Sequence, residues 1–171
     1  MRIEKQPDSA VYSGKPELQY AYLLNRSIIG NSPDFGVGRL YVRYRFCKPF
    51  NLKSADIKQA NYYAYNLSKL KRDHPKQSFS LHSVPEDWCS VLINWNDRFD
   101  LGKKTSEYTG GNAILNFDIT DEVKKWCDAP DGQMERQGVL LKASDETADI
   151  YSVLLSNDNA LFRNRTEIIL K

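Results

Sequence analysis

Arg39-Leu40-Tyr41-Val42-Arg43-Tyr44-Arg45-Phe46 alternates without a break: Leu40, Val42, Tyr44 and Phe46 fall on one side of an extended chain, and Arg39, Tyr41, Arg43 and Arg45 on the other. Successive side chains of a strand project to opposite faces, so a period of two predicts a strand with one face in a core and the other turned outward. Working outward from this stretch, similar runs occupy 59–65, 78–84, 91–95, 114–117, 138–143, 150–156 and 166–170. These eight short candidates are separated by turn residues, with no internal repeat and no long linker. That spacing predicts an all-β fold, an antiparallel jelly-roll-like β-sandwich.

One helix interrupts the strands, predicted at about 121–127. Thr120 stands at its start, Asp121 and Glu122 follow in the first turn, and Lys124 and Lys125 close it, so the charges match the helix dipole at both ends. Val123 and Trp126 are three apart and share a face, with Ile119 placed beside them, which makes the helix a plug for one end of the sandwich. Residues 1–171 read as a single domain, large enough to bury roughly 70% of the surface its unfolded chain exposes. Within it, 1–36 is an N-terminal strand and lead-in, including the segment 18–24 and a Gly30-Asn31-Ser32-Pro33 turn.

Composition narrows the function. The formal charge is +2, with 24 basic against 22 acidic residues, so the basic excess of a nucleic-acid binder is missing. The longest apolar runs, such as Val153-Leu154-Leu155, fall far short of the ~20 residues a membrane-spanning helix needs, so no membrane insertion is expected. Cys47, Cys89 and Cys127 are odd in number and lack CxxC spacing, which indicates neither a zinc site nor a disulfide framework and allows at most one bridge. Met1 to Pro7 is charged and without an apolar core, so no signal peptide is visible, which says little about the address of a parent protein.

Read in order, the landmarks are Arg45-Phe46, Ala55-Asp56-Ile57, Gln59-Ala60, 79–84 with Asp87-Trp88, Ile93-Asn94-Trp95-Asn96, 117–123 with Trp126, 138–142, Leu155-Ser156-Asn157 and the terminal 165–170. Across about 37–171 this series resembles the DNRLRE family, the disaggregatase-related repeats, which are non-catalytic modules of microbial surface proteins and polysaccharide-degrading enzymes. Cys47 departs from the Asp the family prefers, and Thr166 from its Pro. The resemblance implies a jelly-roll-like sandwich in a secreted or cell-surface bacterial or archaeal protein, with neighbouring domains of a larger chain and acidic polysaccharide such as alginate as partners. A monomer is expected.

The residues themselves supply candidate chemistry. Arg39, Arg43 and Arg45 around Tyr41 suit an anionic chain, because guanidinium forks pair with carboxylate or sulfate and a tyrosine ring stacks on a sugar. Solvated arginines lying over neighbouring strands are the plainer alternative. If Ala60 faces the core, Tyr63 and Tyr65 face outward and offer an aromatic platform, or simply a stabilised sheet. Trp88, Trp95 and Trp126 read as core rather than as sugar platforms. His74 and His82 form no nucleophile or metal motif, with His82 at an outward position, and the acidic pairs Glu86-Asp87, Asp121-Glu122 and Asp145-Glu146 sit in turns and caps. No catalytic site, no cofactor and no metal site follow. A structural calcium at 145–149 with 157–159 is the weaker alternative, because those loops lack EF-hand spacing. The expected function is therefore a non-catalytic carbohydrate-binding module, with a structural spacer or adhesion module as the rival.

Overall fold

The computed structural model describes residues 8–17, 26–44, 52–70, 75–84, 92–96, 101–129, 138–155 and 164–171. The strands are β1 (Ser9–Tyr12), β2 (Arg26–Ser32), β3 (Gly36–Arg43), β4 (Ile57–Tyr65), β5 (Ser78–Val84), β6 (Lys104–Thr109), β7 (Ile114–Asp118), β8 (Gly138–Ala143), β9 (Tyr151–Leu155) and β10 (Arg165–Leu170), and the helix is α1 (Thr120–Asp128). All pairings are antiparallel. A curled seven-stranded sheet runs β6-β5-β8-β3-β2-β9 with β1 also on β3, and it faces a three-stranded sheet, β10-β4-β7. The antiparallel all-β sandwich is the observed fold.

Alternation on β3 explains the layering. Leu40 and Val42 meet Leu141 and Val139 of β8 across the sheet, and all four enter one core with Ala60, Tyr62 and Ala64 of β4, Leu115 and Phe117 of β7 and Ile168 of β10. Large apolar side chains removed from water on both inner faces are what hold two sheets together, at roughly 25 cal/mol per Å². Helix α1 seals one end through Ile119, Val123 and Trp126, and the Trp126 ring lies 4.9 Å from that of Tyr44. The predicted plug is therefore correct, but its cap differs. Ile119 occupies the cap position, Asp118 Oδ1 accepts the Thr120 N–H at 2.9 Å, and the Thr120 hydroxyl oxygen instead accepts the Ala60 N–H of β4 at 2.9 Å. Thr120 thus anchors the helix to the sheet.

Three strands went unread. β6 (Lys104–Thr109) is an edge strand whose side chains are nearly all polar, so it carries no apolar period. β1 and β2 lie in the lead-in, which supplies two strands rather than one. The residues read as a turn at Gly30-Asn31-Ser32 continue β2, paired with Gly38, Val37 and Gly36, and the turn falls at 33–35. Conversely, the run 91–95 is no strand over its described part: 92–96 form a turn-rich loop whose Trp95 N–H donates to the Pro16 carbonyl. Segment 18–24 and residues 45–47 lie outside the described residues.

Buried polar side chains lock the β2 edge. Gly30 has φ +103°, a conformation open to glycine, and Gln77 Nε2 reaches over it to donate to the Ile150 carbonyl at 3.1 Å and to that of Ile29 at 3.4 Å. Gln77→Ala is expected to lower stability by about 1–2 kcal/mol, read as a melting-temperature drop of roughly 3–6 °C, because the buried Ile29 carbonyl and the part-buried Ile150 carbonyl each lose a side-chain donor, although Ile150 keeps the Asn31 N–H. A drop within experimental scatter would mean the clamp contributes nothing. At the far side, Asn66 bridges to Leu154 and its side chain bonds Ser152, tying the end of β4 to β9. Among the described residues no helix is long and apolar enough to cross a membrane.

Candidate functional site

The two sheets turn two outer faces to their surroundings, and the candidate residues divide between them. Leu40 and Val42 share one core with Tyr62 and Ala64. Their outward neighbours, Arg39, Tyr41 and Arg43 on β3 and Tyr63 and Tyr65 on β4, therefore point away from each other on opposite sides of the sandwich. The arginine row and the tyrosine pair do not form one patch, and Arg45 lies outside the described residues.

On the seven-stranded sheet the outward direction of the row is as predicted, but its availability is not. Arg39 donates from Nε and Nη2 to the two carboxylate oxygens of Glu146, at 2.7 and 2.8 Å, and Lys142 Nζ lies 3.4 Å from Glu146 Oε2. The side chains are only 18% (Arg39), 17% (Glu146) and 12% (Lys142) exposed. Arg39 also lies over Trp95, 4.9 Å from its ring centroid. Trp95 is thus not a core residue but a half-buried roof on the outer face. Beneath it Tyr41 is buried, packed with Val11, Val84, Ile93 and Leu140. Arg43 is half-buried.

Electrostatics follow from this packing. Burial opposes ionisation of Glu146, but the hydrogen bond and charge of Arg39 and the nearby charge of Lys142 outweigh it and hold the carboxyl below its ordinary range. The Glu146 bond raises the Arg39 pKa against the opposing effect of burial. Glu146 is delivered by a local turn: Asp145 Oδ1 accepts both the N–H and the hydroxyl of Thr147, at 2.8 and 2.7 Å, and Asn31 Nδ2 donates to Asp149. Those carboxylates, weighed in the sequence as calcium ligands, serve the turn; 157–159 lie outside the described residues. His82 is held below its ordinary pKa by burial, then by the charges of Lys142, Lys104 and Arg39, against a backbone bond. Its Nδ1 faces the Gly102 carbonyl at 3.3 Å, which only accepts, so Nδ1 carries the proton and Nε2 takes the Ser80 hydroxyl at 3.1 Å.

The three-stranded sheet is different. Register places Arg165, Tyr63 and Asn116 in one transverse row, Glu167, Asn61 and Asp118 in the next, and Tyr65 beside Ile114. The Arg165 guanidinium lies 5.0 Å from the Tyr63 ring centroid, donates from Nη1 to the Tyr65 hydroxyl at 3.0 Å and pairs through Nε with Glu167 at 2.8 Å. One arginine therefore orients both rings. Here the charged side chains are open, 42% exposed for Arg165 and 52% for Glu167. Arg165, Glu167, Asn116 and Asp118 were missed as site residues. Alternation along 165–170 was the available signal, but only cross-strand register brings it to Tyr63.

Other candidates stay apart. Cys127 is a free, half-buried thiol pushed up to about 11 by burial, with Asp128 and Asp56 adding to the rise. His74, Glu86, Asp87, Trp88, Cys47 and Cys89 lie outside the described residues. Among the described residues no group of three or more His, Cys, Asp or Glu side chains converges. No family model matches the chain, and no curated protein matches it either.

Proposed function

We propose that this domain is a non-catalytic carbohydrate-binding module of a secreted or cell-surface protein, holding an extended polysaccharide against the outer face of the three-stranded sheet. The observation that carries the reading is the pair Tyr63 and Tyr65, two residues apart on the central strand and oriented together by Arg165. Ring positions about 6–7 Å apart along a strand form a ladder for a linear chain, and rings held in place by a sheet lose little freedom on binding. The exposed amide of Asn116 stands beside Tyr63 across the sheet, and that of Gln59, also exposed, lies further along β4 beyond Asn61. The resemblance to DNRLRE modules supports the same reading. Tyr63→Ala with Tyr65→Ala is expected to reduce retention on polysaccharide about thirtyfold while the protein remains folded, since each stacked ring contributes on the order of 1 kcal/mol. Equal retention by a folded double variant would remove the tyrosine face from the mechanism.

A spacer or adhesion module is the second reading. It draws on Leu92, 61% exposed on the loop that roofs the other sheet, as a contact for a neighbouring domain. It predicts no polysaccharide retention by the wild-type protein.

A further inference from the structure

We infer that the tyrosine face selects an uncharged polysaccharide, the opposite of what the arginine-rich strand β3 suggests; the inference rests on the carbohydrate-binding reading above. Arg39 on one face and Arg165 on the other are each engaged by a carboxylate. Glu146 takes both forks of Arg39 and lies within ion-pair distance of Lys142. On the three-stranded sheet, Glu167 takes Nε of Arg165 and the Tyr65 hydroxyl takes Nη1.

Charge on the tyrosine face leads to the same conclusion. Its outward side chains are Arg165, Glu167 and Asp118 among uncharged neighbours, one cation against two carboxylates. Lys58, exposed beside the bulge at the far end of β4 from Tyr65, only brings that balance level. An anionic chain laid along β4 would approach two carboxylates within about one Debye length and would have to displace Glu167 from Arg165. Neutral sugar hydroxyls meet no such penalty. They donate to the exposed carboxylates of Glu167 and Asp118, exchange hydrogen bonds with Gln59 and Asn116, and present apolar ring faces to the tyrosines.

The test is retention on columns of immobilised neutral polymers (β-glucan, mannan, xylan, galactan) and acidic ones (alginate, polygalacturonate), at low and high salt. Wild type is expected on at least one neutral polymer, equally at both salt levels, with retention lost in the Tyr63→Ala, Tyr65→Ala variant. Glu167→Gln, an exposed change, is expected to gain alginate retention about fivefold, the scale of one exposed ion pair, and to lose that gain in high salt. Stronger wild-type retention on an acidic polymer, falling with salt and lost in the tyrosine variant, overturns the inference while leaving the carbohydrate-binding reading in place. Retention by neither set overturns both.

Discussion

Replacing Glu146 with glutamine is expected to lower the melting temperature by roughly 6–12 °C, equivalent to about 3 kcal/mol. Glutamine keeps the size and shape of the side chain but leaves Arg39 and Lys142, both mostly withdrawn from water, facing each other without a counter-charge. The cost of an uncompensated charge in a poorly solvated setting exceeds that of losing one hydrogen bond, which places this change well above an ordinary surface substitution. Stacking of Arg39 on Trp95 depends on the same anchor, so the loop over the outer face should loosen as well.

A pH series separates this cause from a simple packing defect. The Glu146 carboxyl is held below its unfolded value of 4.5, so its contribution to stability is fully present above that value and is lost as pH falls through the folded pKa. The melting-temperature gap between wild type and Glu146→Gln should therefore be constant from neutral pH down to about 5 and close in stronger acid, as wild type itself becomes protonated. Thermal melts across that range measure it. A gap that persists undiminished in acid, or none at neutral pH, would show that the charge network is not what stabilises this face.

Gly38→Ala is the second large effect, expected to cost about 3 kcal/mol or more, at or beyond the upper end of the usual overpacking range. Leu40 and Tyr41 pair with both β1 and β8, so β1 lies on the edge of β3 opposite β8, the edge that β2 also occupies. Gly38, paired with Gly30 and with Tyr12, is where one neighbour replaces the other. The Tyr12 hydroxyl accepts the Ile28 N–H at 3.1 Å, satisfying a backbone group where the two strands part. A Cβ on Gly38 would overlap the Ile28 carbonyl oxygen and stand 2.9 Å from Tyr12 Cε1. Backbone cannot move aside as a side chain can, so the clash outweighs the gain of about 0.4–1 kcal/mol from a stiffer unfolded chain. Gly111→Ala is the matched control, since nothing lies within 4 Å of its added carbon. Denaturant melts that rank the two substitutions as equal would sink the close-approach argument.

Legibility differed with the range of the interaction concerned. Ser78–Val84 and Gly138–Ala143 match their sequence runs, because each buries one face in the common core and carries its pattern openly. The helix was legible from charges and a three-residue apolar spacing. β6 was not, because an edge strand with a polar surface has no buried face to announce. The run 91–95 misled in the other direction: Ile93 is buried and Trp95 half-buried, but against the outer face of a sheet and from a loop, so alternation there did not mean extended pairing.

The candidate site shows the same limit. Period-two alternation is a local property, and by itself it dictated that Arg39, Tyr41 and Arg43 share one side of β3 and Tyr63 and Tyr65 one side of β4. What meets those sides is a matter of partners far along the chain. Glu146 comes to Arg39 across 107 residues and Arg165 to Tyr65 across 100, through strand order and register that no local pattern encodes. Tertiary structure alone decided that Arg39 is charge-paired and Tyr41 covered while Tyr63 and Tyr65 lie half-buried in a sheet face whose charged side chains are exposed, because burial and electrostatic compensation depend on which groups are brought within a few ångströms, not on which direction each one points.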